Sequence, residues 1–155
     1  MRGSKRMDIS IRKAEKSDLE DILILYSQPD MDNGKVLSIK EAESIFERMK
    51  NYPDYNVYVA EYDNKIVGTF ALAIMDNLAN MGARSGLIED VVVAASLHGK
   101  GIGKEMMEQA IKVCKGKGCY KVSLSSNLKR ENAHRFYEGI GFKKHGYSFR
   151  MEIKE

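Results

Sequence analysis

The most restrictive stretch of this 155-residue chain is IEDVVVAASLHGKGIGKEMM (88–107). An apolar, strand-like run gives way to three glycines, Gly99, Gly101 and Gly103, and a helical pattern begins at once. Glycine costs about 1 kcal/mol relative to alanine inside a helix, so three at a helix start need a reason. In a turn from strand to helix N-terminus, several backbone N–H groups lack intrahelical partners and the helix dipole adds partial positive charge. Without Cβ atoms a pyrophosphate can touch the main chain, and Lys100 and Lys104 can add charge at the rim. A tight connection that merely needs positive φ at one position is the plainer alternative. One glycine would serve that purpose, and three favour an anion site.

The composition suits a globular protein large enough to bury a core: 43% hydrophobic, 30% charged, and no run long enough to span a bilayer. Net charge is +3 with basic residues scattered among acidic ones, which argues against a nucleic-acid partner but suits an anionic small ligand. Cys114 and Cys119 have no metal-ligand spacing around them, and His98, His134 and His145 form no ligand motif. We expect reduced, structural cysteines, no metal and no membrane partner. With no secretory signal, the expected compartment is cytoplasmic. MRGSKR (1–6) reads as a tag or a frayed terminus, leaving one domain over 7–155.

ISIRKA (9–14) alternates like a half-buried strand. Ser17 with Glu20 forms a capping-box pattern opening a helix through LEDILILY, and Ser38 with Glu41 repeats it ahead of a helix running to about Met49. VYVAEY and KIVGTFALAIM read as a hairpin turned at Asp63-Asn64. Residues 77–85 read as a loop and Gly86 to Val93 as a fourth strand. After the glycines, Ile102, Met106, Ala110 and Val113, with Met107, Ile111 and Cys114, mark a broad buried helix face. KVSLS supplies a fifth strand, a helix is expected from about Arg130 to Glu138, and two closing strands over 142–145 and 147–153. The expected class is α/β (α+β), with a mixed, mostly antiparallel sheet flanked by about four helices.

The glycine loop fails as a Walker A motif, because Glu105 follows Lys104 where Ser or Thr belongs. It fails as a Rossmann fingerprint, because Lys104 takes the third glycine position. His98-Gly99-Lys100-Gly101-Ile102-Gly103 instead resembles the acetyl-CoA pyrophosphate loop of the GNAT-type N-acetyltransferase superfamily, Q/R-x-x-G-x-G/A. AHRFYEGIGF (133–142) is similar to that superfamily's C-terminal helix signature. His98 stands where glutamine or arginine is usual, which should tune affinity rather than abolish binding.

The resemblance implies acetyl-CoA as co-substrate, held by the loop His98 to Lys104 and by the main chain of Val91, Val92 and Val93, one of whose amides polarises the reacting carbonyl. It implies Tyr137 as general acid to the departing thiolate. Glu89 becomes a base or water-positioning group, and Glu89, Asp90 and Arg130 become acceptor contacts. Adjacent strand residues point to opposite faces, so only one of Glu89 and Asp90 should face a cleft. Asn127 is a candidate cofactor ligand and Asn132 a candidate helix cap; structural roles compete at each of these positions. A nucleophilic cysteine is disfavoured, since neither has a histidine at a recognisable spacing.

SGLIEDVVV, GCYKVSL and FYEGIGF look most like the superfamily's glucosamine-6-phosphate N-acetyltransferases, but these motifs lie on cofactor-binding and core elements. The acceptor is therefore open: an amino sugar or similar small amine, for whose phosphate Arg84 and Arg130 are candidates, or a peptide or polyamine. An acyl-CoA-binding sensor without catalysis is the rival from another class. SFRMEIKE is strand-like, and the resemblance leaves a homodimer through this segment open.

Overall fold

The computed structural model describes residues 7–29 and 31–153; the reading of 1–6 as a tag or frayed terminus lies outside them. The chain divides into two compact units, one up to Ser123 and one from Leu124 onward.

The first unit is built on a sheet in the order β1 (Ser10–Lys13), β2 (Tyr55–Tyr62), β3 (Lys65–Met75), β4 (Arg84–Val93) and β5 (Cys119–Leu124). The first three pairings are antiparallel and the sheet is mixed, as expected. The β2–β3 hairpin turns at Asp63 and Asn64, both left-handed (φ 51° and 59°), the conformation that a two-residue type I′ turn requires. β4 begins at Arg84, two residues earlier than its apolar pattern suggested.

One face of the sheet carries α1 (Leu19–Tyr26) and α2 (Ile39–Met49), where Leu19, Ile22, Ala42 and Val59 close a core cluster with Phe46, Val57 and Ile66 packed against it. α2 starts as its sequence predicts, with Ser38 Oγ accepting from the Glu41 amide (3.2 Å) and Glu41 Oε2 from the Ser38 amide (3.0 Å). The box ahead of α1 is displaced. Ser17 does not cap; Lys16–Asp18 form a 3-10 turn instead, and Asp18 Oδ2 accepts the Glu15 amide at 2.7 Å. Asp18 is drawn there because Arg12, on β1, grips both its carboxylate oxygens at 2.7 and 2.9 Å.

α3 (Ile102–Gly116) lies on the other face, burying Ile102, Met106, Met107, Ala110 and Cys114. Its approach depends on Gly68, where a Cβ would come within 2.7 Å of the Met106 sulfur and 3.3 Å of Ile102. A side chain there would push the helix off the sheet.

In the second unit, α4 (Glu131–Ile140) ends at Gly141 (φ 119°). The two closing strands expected over 142–153 are not formed. Tyr147, Phe149, Met151 and Ile153 alternate as a strand face should but are 83–91% exposed. A strand pattern needs a neighbouring strand to take its backbone hydrogen bonds and its apolar face.

The Arg12–Asp18 pair yields a test. The guanidinium of Arg12 holds the buried Asp18 carboxyl below its ordinary pKa, so its contribution is present above the unfolded carboxylate pKa and is lost as pH falls through the folded value. Asp18→Asn should cost about 2 kcal/mol at neutral pH. In chemical denaturation across pH, the gap from wild type should stay constant above about pH 5 and close below about pH 4.

Candidate active site

The site begins with an irregularity in β4. Leu72 pairs with Ile88 and Ala71 with Glu89, but Thr69 pairs with Val92 and Gly68 with Val93, so β4 holds one residue more than β3 between these pairs. Asp90 absorbs it with a left-handed backbone (φ 53°), as in a β-bulge. Paired residues share a face, so Ile88 and Val92, four apart, end up on opposite faces of the sheet. At Asp90 the left-handed backbone breaks the simple alternation on which the expectation about Glu89 and Asp90 rested. Both are exposed, and the charges of both act on the phenol of Tyr55.

Two tyrosines that sequence reasoning missed stand around this bulge. Tyr26, at the end of α1, has its phenol pushed above the ordinary range by burial, with the Asp90 charge adding to it. Tyr55, at the start of β2, is raised by burial first and then by Asp90 and Glu89. Tyr26 closes an apolar helix and Tyr55 opens a strand. Nothing local relates either to a carboxylate 64 or 35 positions away.

Beyond Val93 the chain leaves the sheet through a 3-10 turn at Ala95–Leu97 and reaches the glycines. Gly99 (φ 77°) and Gly101 (φ 88°) are both left-handed, so backbone conformation alone explains two of the three glycines. A Cβ at either would meet nothing within 4 Å, which leaves their surface open to a ligand. Gly101 is the N-cap of α3 and no side chain caps the helix, so its first amides have no side-chain acceptor. Gly103 sits in the first turn of α3. Ile102 is 1% exposed, so any ligand role falls to its amide rather than its side chain. Lys100 and Lys104 are exposed, the latter 4.0 Å from Glu108. His98 Nε2 lies 3.1 Å from the Val93 carbonyl; a carbonyl only accepts, so this nitrogen carries the proton. The departure from glutamine or arginine thus ties the loop back to β4.

Val92 is 4% exposed while Val91 and Val93 are half-buried. Arg84 donates to Asp76 Oδ1 at 3.1 Å. Cys114 is 3% exposed and its burial, with Cys119 beside it, pushes the thiol up to about 12, which leaves no thiolate for nucleophilic attack. Among the described residues, no group of three or more His, Cys, Asp or Glu side chains could hold a metal ion, and no helix is long and apolar enough to cross a membrane.

In the second unit, Tyr137 lies in the middle of α4 with Phe136 and Phe142 edge-on at 5.1 and 5.8 Å. Burial raises its phenol above the ordinary value, opposed by the positive charge of Arg130. A phenol so placed stays protonated at neutral pH. Asn127 organises the turn before α4: its Oδ1 accepts the Lys129 amide at 2.9 Å and its carbonyl accepts from His134 Nε2 at 2.8 Å. Asn132 is not the cap. It is the second residue of α4, and its side-chain oxygen accepts from Arg135, while Arg130 holds the N-cap position without a side-chain bond.

A bulged strand, a left-handed glycine turn and an uncapped helix N-terminus follow one another within 30 residues. That order presents an exposed left-handed turn and helix amides without a side-chain cap, features that a phosphate group could meet. Residues 19–142 match the acetyltransferase (GNAT) family. The chain is 32% identical over 148 residues to glucosamine 6-phosphate N-acetyltransferase of Trypanosoma brucei brucei, spanning 95% of this chain and 97% of that protein. It is 33% identical over 134 residues to the glucosamine 6-phosphate N-acetyltransferase of Arabidopsis thaliana, covering 84% and 87%. The crystal structure of a Trypanosoma brucei acetyltransferase superposes with a TM-score of 0.82 at 32% identity, over 94% of this chain and all of that one. This chain belongs to the GNAT acetyltransferase family and is an N-acetyltransferase.

Gly101→Val should be felt twice. The left-handed backbone makes a β-branched residue cost about 1–2 kcal/mol, lowering the melting temperature by a few degrees. The new side chain fills the open surface of the loop, so calorimetry should show coenzyme A affinity reduced about tenfold or more. Unchanged affinity would remove this loop as the phosphate cradle.

Proposed function

We propose that this enzyme transfers the acetyl group of acetyl-CoA directly to the primary amine of a small amino sugar or similar molecule, with a phosphorylated amino sugar as the acceptor class. The observation that carries the donor assignment is the open left-handed turn at Gly99 and Gly101 leading into the uncapped start of α3. The acceptor class rests on the two relatives named glucosamine 6-phosphate N-acetyltransferase.

In this reading, main-chain amides of the loop and of the first turn of α3 hold the pyrophosphate. Val91 to Val93 present backbone groups to the pantetheine arm, and an amide there polarises the thioester carbonyl, where negative charge grows as the amine attacks. Holding donor and acceptor side by side supplies much of the acceleration. Glu89 acts as the base, directly or through a water, with Asp90 beside it as an acceptor contact. Tyr137 gives its hydroxyl proton to the sulfur as the carbon–sulfur bond breaks; the raised phenol keeps that proton available at neutral pH. Arg130 contacts the acceptor and Asn127 the cofactor through what its turn leaves free. Activity is placed in the cytoplasm, within one domain over 7–155.

A thiol-release assay with acetyl-CoA over amino-sugar phosphates, free amino sugars, polyamines and peptides tests the reading. Turnover with amino-sugar phosphates above the other classes supports it. Preference for peptides or polyamines overturns the acceptor, and coenzyme A binding without turnover on any amine makes the chain a sensor. On the best acceptor, Tyr137→Phe should lower kcat by about 10²-fold or more with acetyl-CoA affinity nearly constant; an unaltered rate would exclude Tyr137 as the acid.

A second copy of this chain is the proposed partner for the exposed apolar alternation Tyr147, Phe149, Met151 and Ile153, since a strand edge with one apolar face is completed by another strand. Sedimentation should show a dimer in the wild type and a monomer for Phe149→Glu. A wild-type monomer refutes the pairing.

A further inference from the structure

Gln28 lies two residues beyond the end of α1, and its side-chain amide reaches across 65 and 67 positions of sequence to the segment that leaves β4. Its Nε2 donates to the Val93 carbonyl at 3.2 Å and its Oε1 accepts the Ala95 amide at 2.7 Å. The Val93 carbonyl receives a second donor from His98 Nε2 at 3.1 Å, and the intervening Ala94 amide donates to the Val67 carbonyl at 2.8 Å. Three consecutive residues, Val93 to Ala95, therefore have their departure from the sheet fixed by β3, by the glycine loop and by Gln28.

Among the described residues, Gln28 makes this connection from the α1 side. A primary amide offers a donor and an acceptor side by side, so one planar group serves both peptide groups. Two positions earlier, the phenol of the partly buried Tyr26 feels the charge of Asp90 in the bulge. Segment 26–28 thus contacts the exit of β4 through Gln28, while the Asp90 charge before Val91–Val93 acts on Tyr26.

We propose that Gln28 is a positioning residue for the donor site, holding the end of β4 in register with the glycine loop so that the strand and the loop bind the two parts of acetyl-CoA together. This rests on the donor reading given above. A glutamate at position 28 keeps the acceptor for Ala95 but sets a second carboxylate oxygen against the Val93 carbonyl, and alanine removes both bonds. The effect should fall on donor binding, because Gln28 touches neither the acetyl group nor the amine in this reading.

The test compares wild type, Gln28→Ala and Gln28→Glu by calorimetry with coenzyme A, by steady-state kinetics and by thermal melting. Wild-type binding with affinity and KM for acetyl-CoA weakened about tenfold in both variants, and kcat within about twofold, supports the proposal. Should Gln28→Ala fail to fold, the same split in Gln28→Glu decides. Wild-type affinity in the variants, or equal losses in kcat and affinity that follow the fall in melting temperature, overturns it. No coenzyme A binding by the wild type overturns the donor reading itself, which is a separate outcome.

Discussion

One extra residue in β4 governs the geometry on which the rest of the site depends. A strand's side chains alternate with period two, so a single insertion moves everything after it to the other face. Asp90 accepts that insertion by turning left-handed. Ile88 then shares a face with Leu72, while Val92 shares one with Thr69 and, through it, with Val59 in the core under α1 and α2. The charge of Asp90, at the insertion, acts on the phenols of Tyr55 and Tyr26, and that of Glu89 on Tyr55.

The strand end would be of little use unless the helix beyond it were equally fixed. α3 is held by close contact at Gly68 and by the buried methionines Met106 and Met107, both 0% exposed. Its N-terminus therefore points where the sheet dictates. The left-handed pair Gly99 and Gly101 makes the connection in few residues, and Gln28 and His98 pin its beginning. Fixing the chain on both sides of the helix start holds its first amides, which no side chain caps, in one arrangement.

Much of this architecture was legible in the sequence. The Ser38–Glu41 box, the Asp63-Asn64 turn and the buried stripe from Ile102 to Cys114 are local patterns with local causes, and each appears where its residues predict. The failures are instructive for the same reason. Ser17 lost its cap because Arg12, on another element, captured Asp18. The strand pattern at 147–153 found no neighbouring strand in its own unit. Asn132 lies two positions after the N-cap, too late to cap α4.

What the sequence determined by itself was the family and the order of elements as far as α4, because a glycine-rich strand-to-helix turn and hydrophobic periodicity act over a few residues. The family resemblance was carried most specifically by two short blocks, at 98–103 and 133–142, with the element order extending it over nearly the whole chain from Ile9. Only the tertiary structure decided that the charge of Asp90 acts on Tyr26 and Tyr55, that Glu89 acts on Tyr55 as well, and that Gln28 fastens the exit of β4. These relations depend on a one-residue difference between paired strands and on contacts spanning 35 to 67 positions. No local pattern encodes them, since they arise only when separate elements are packed together.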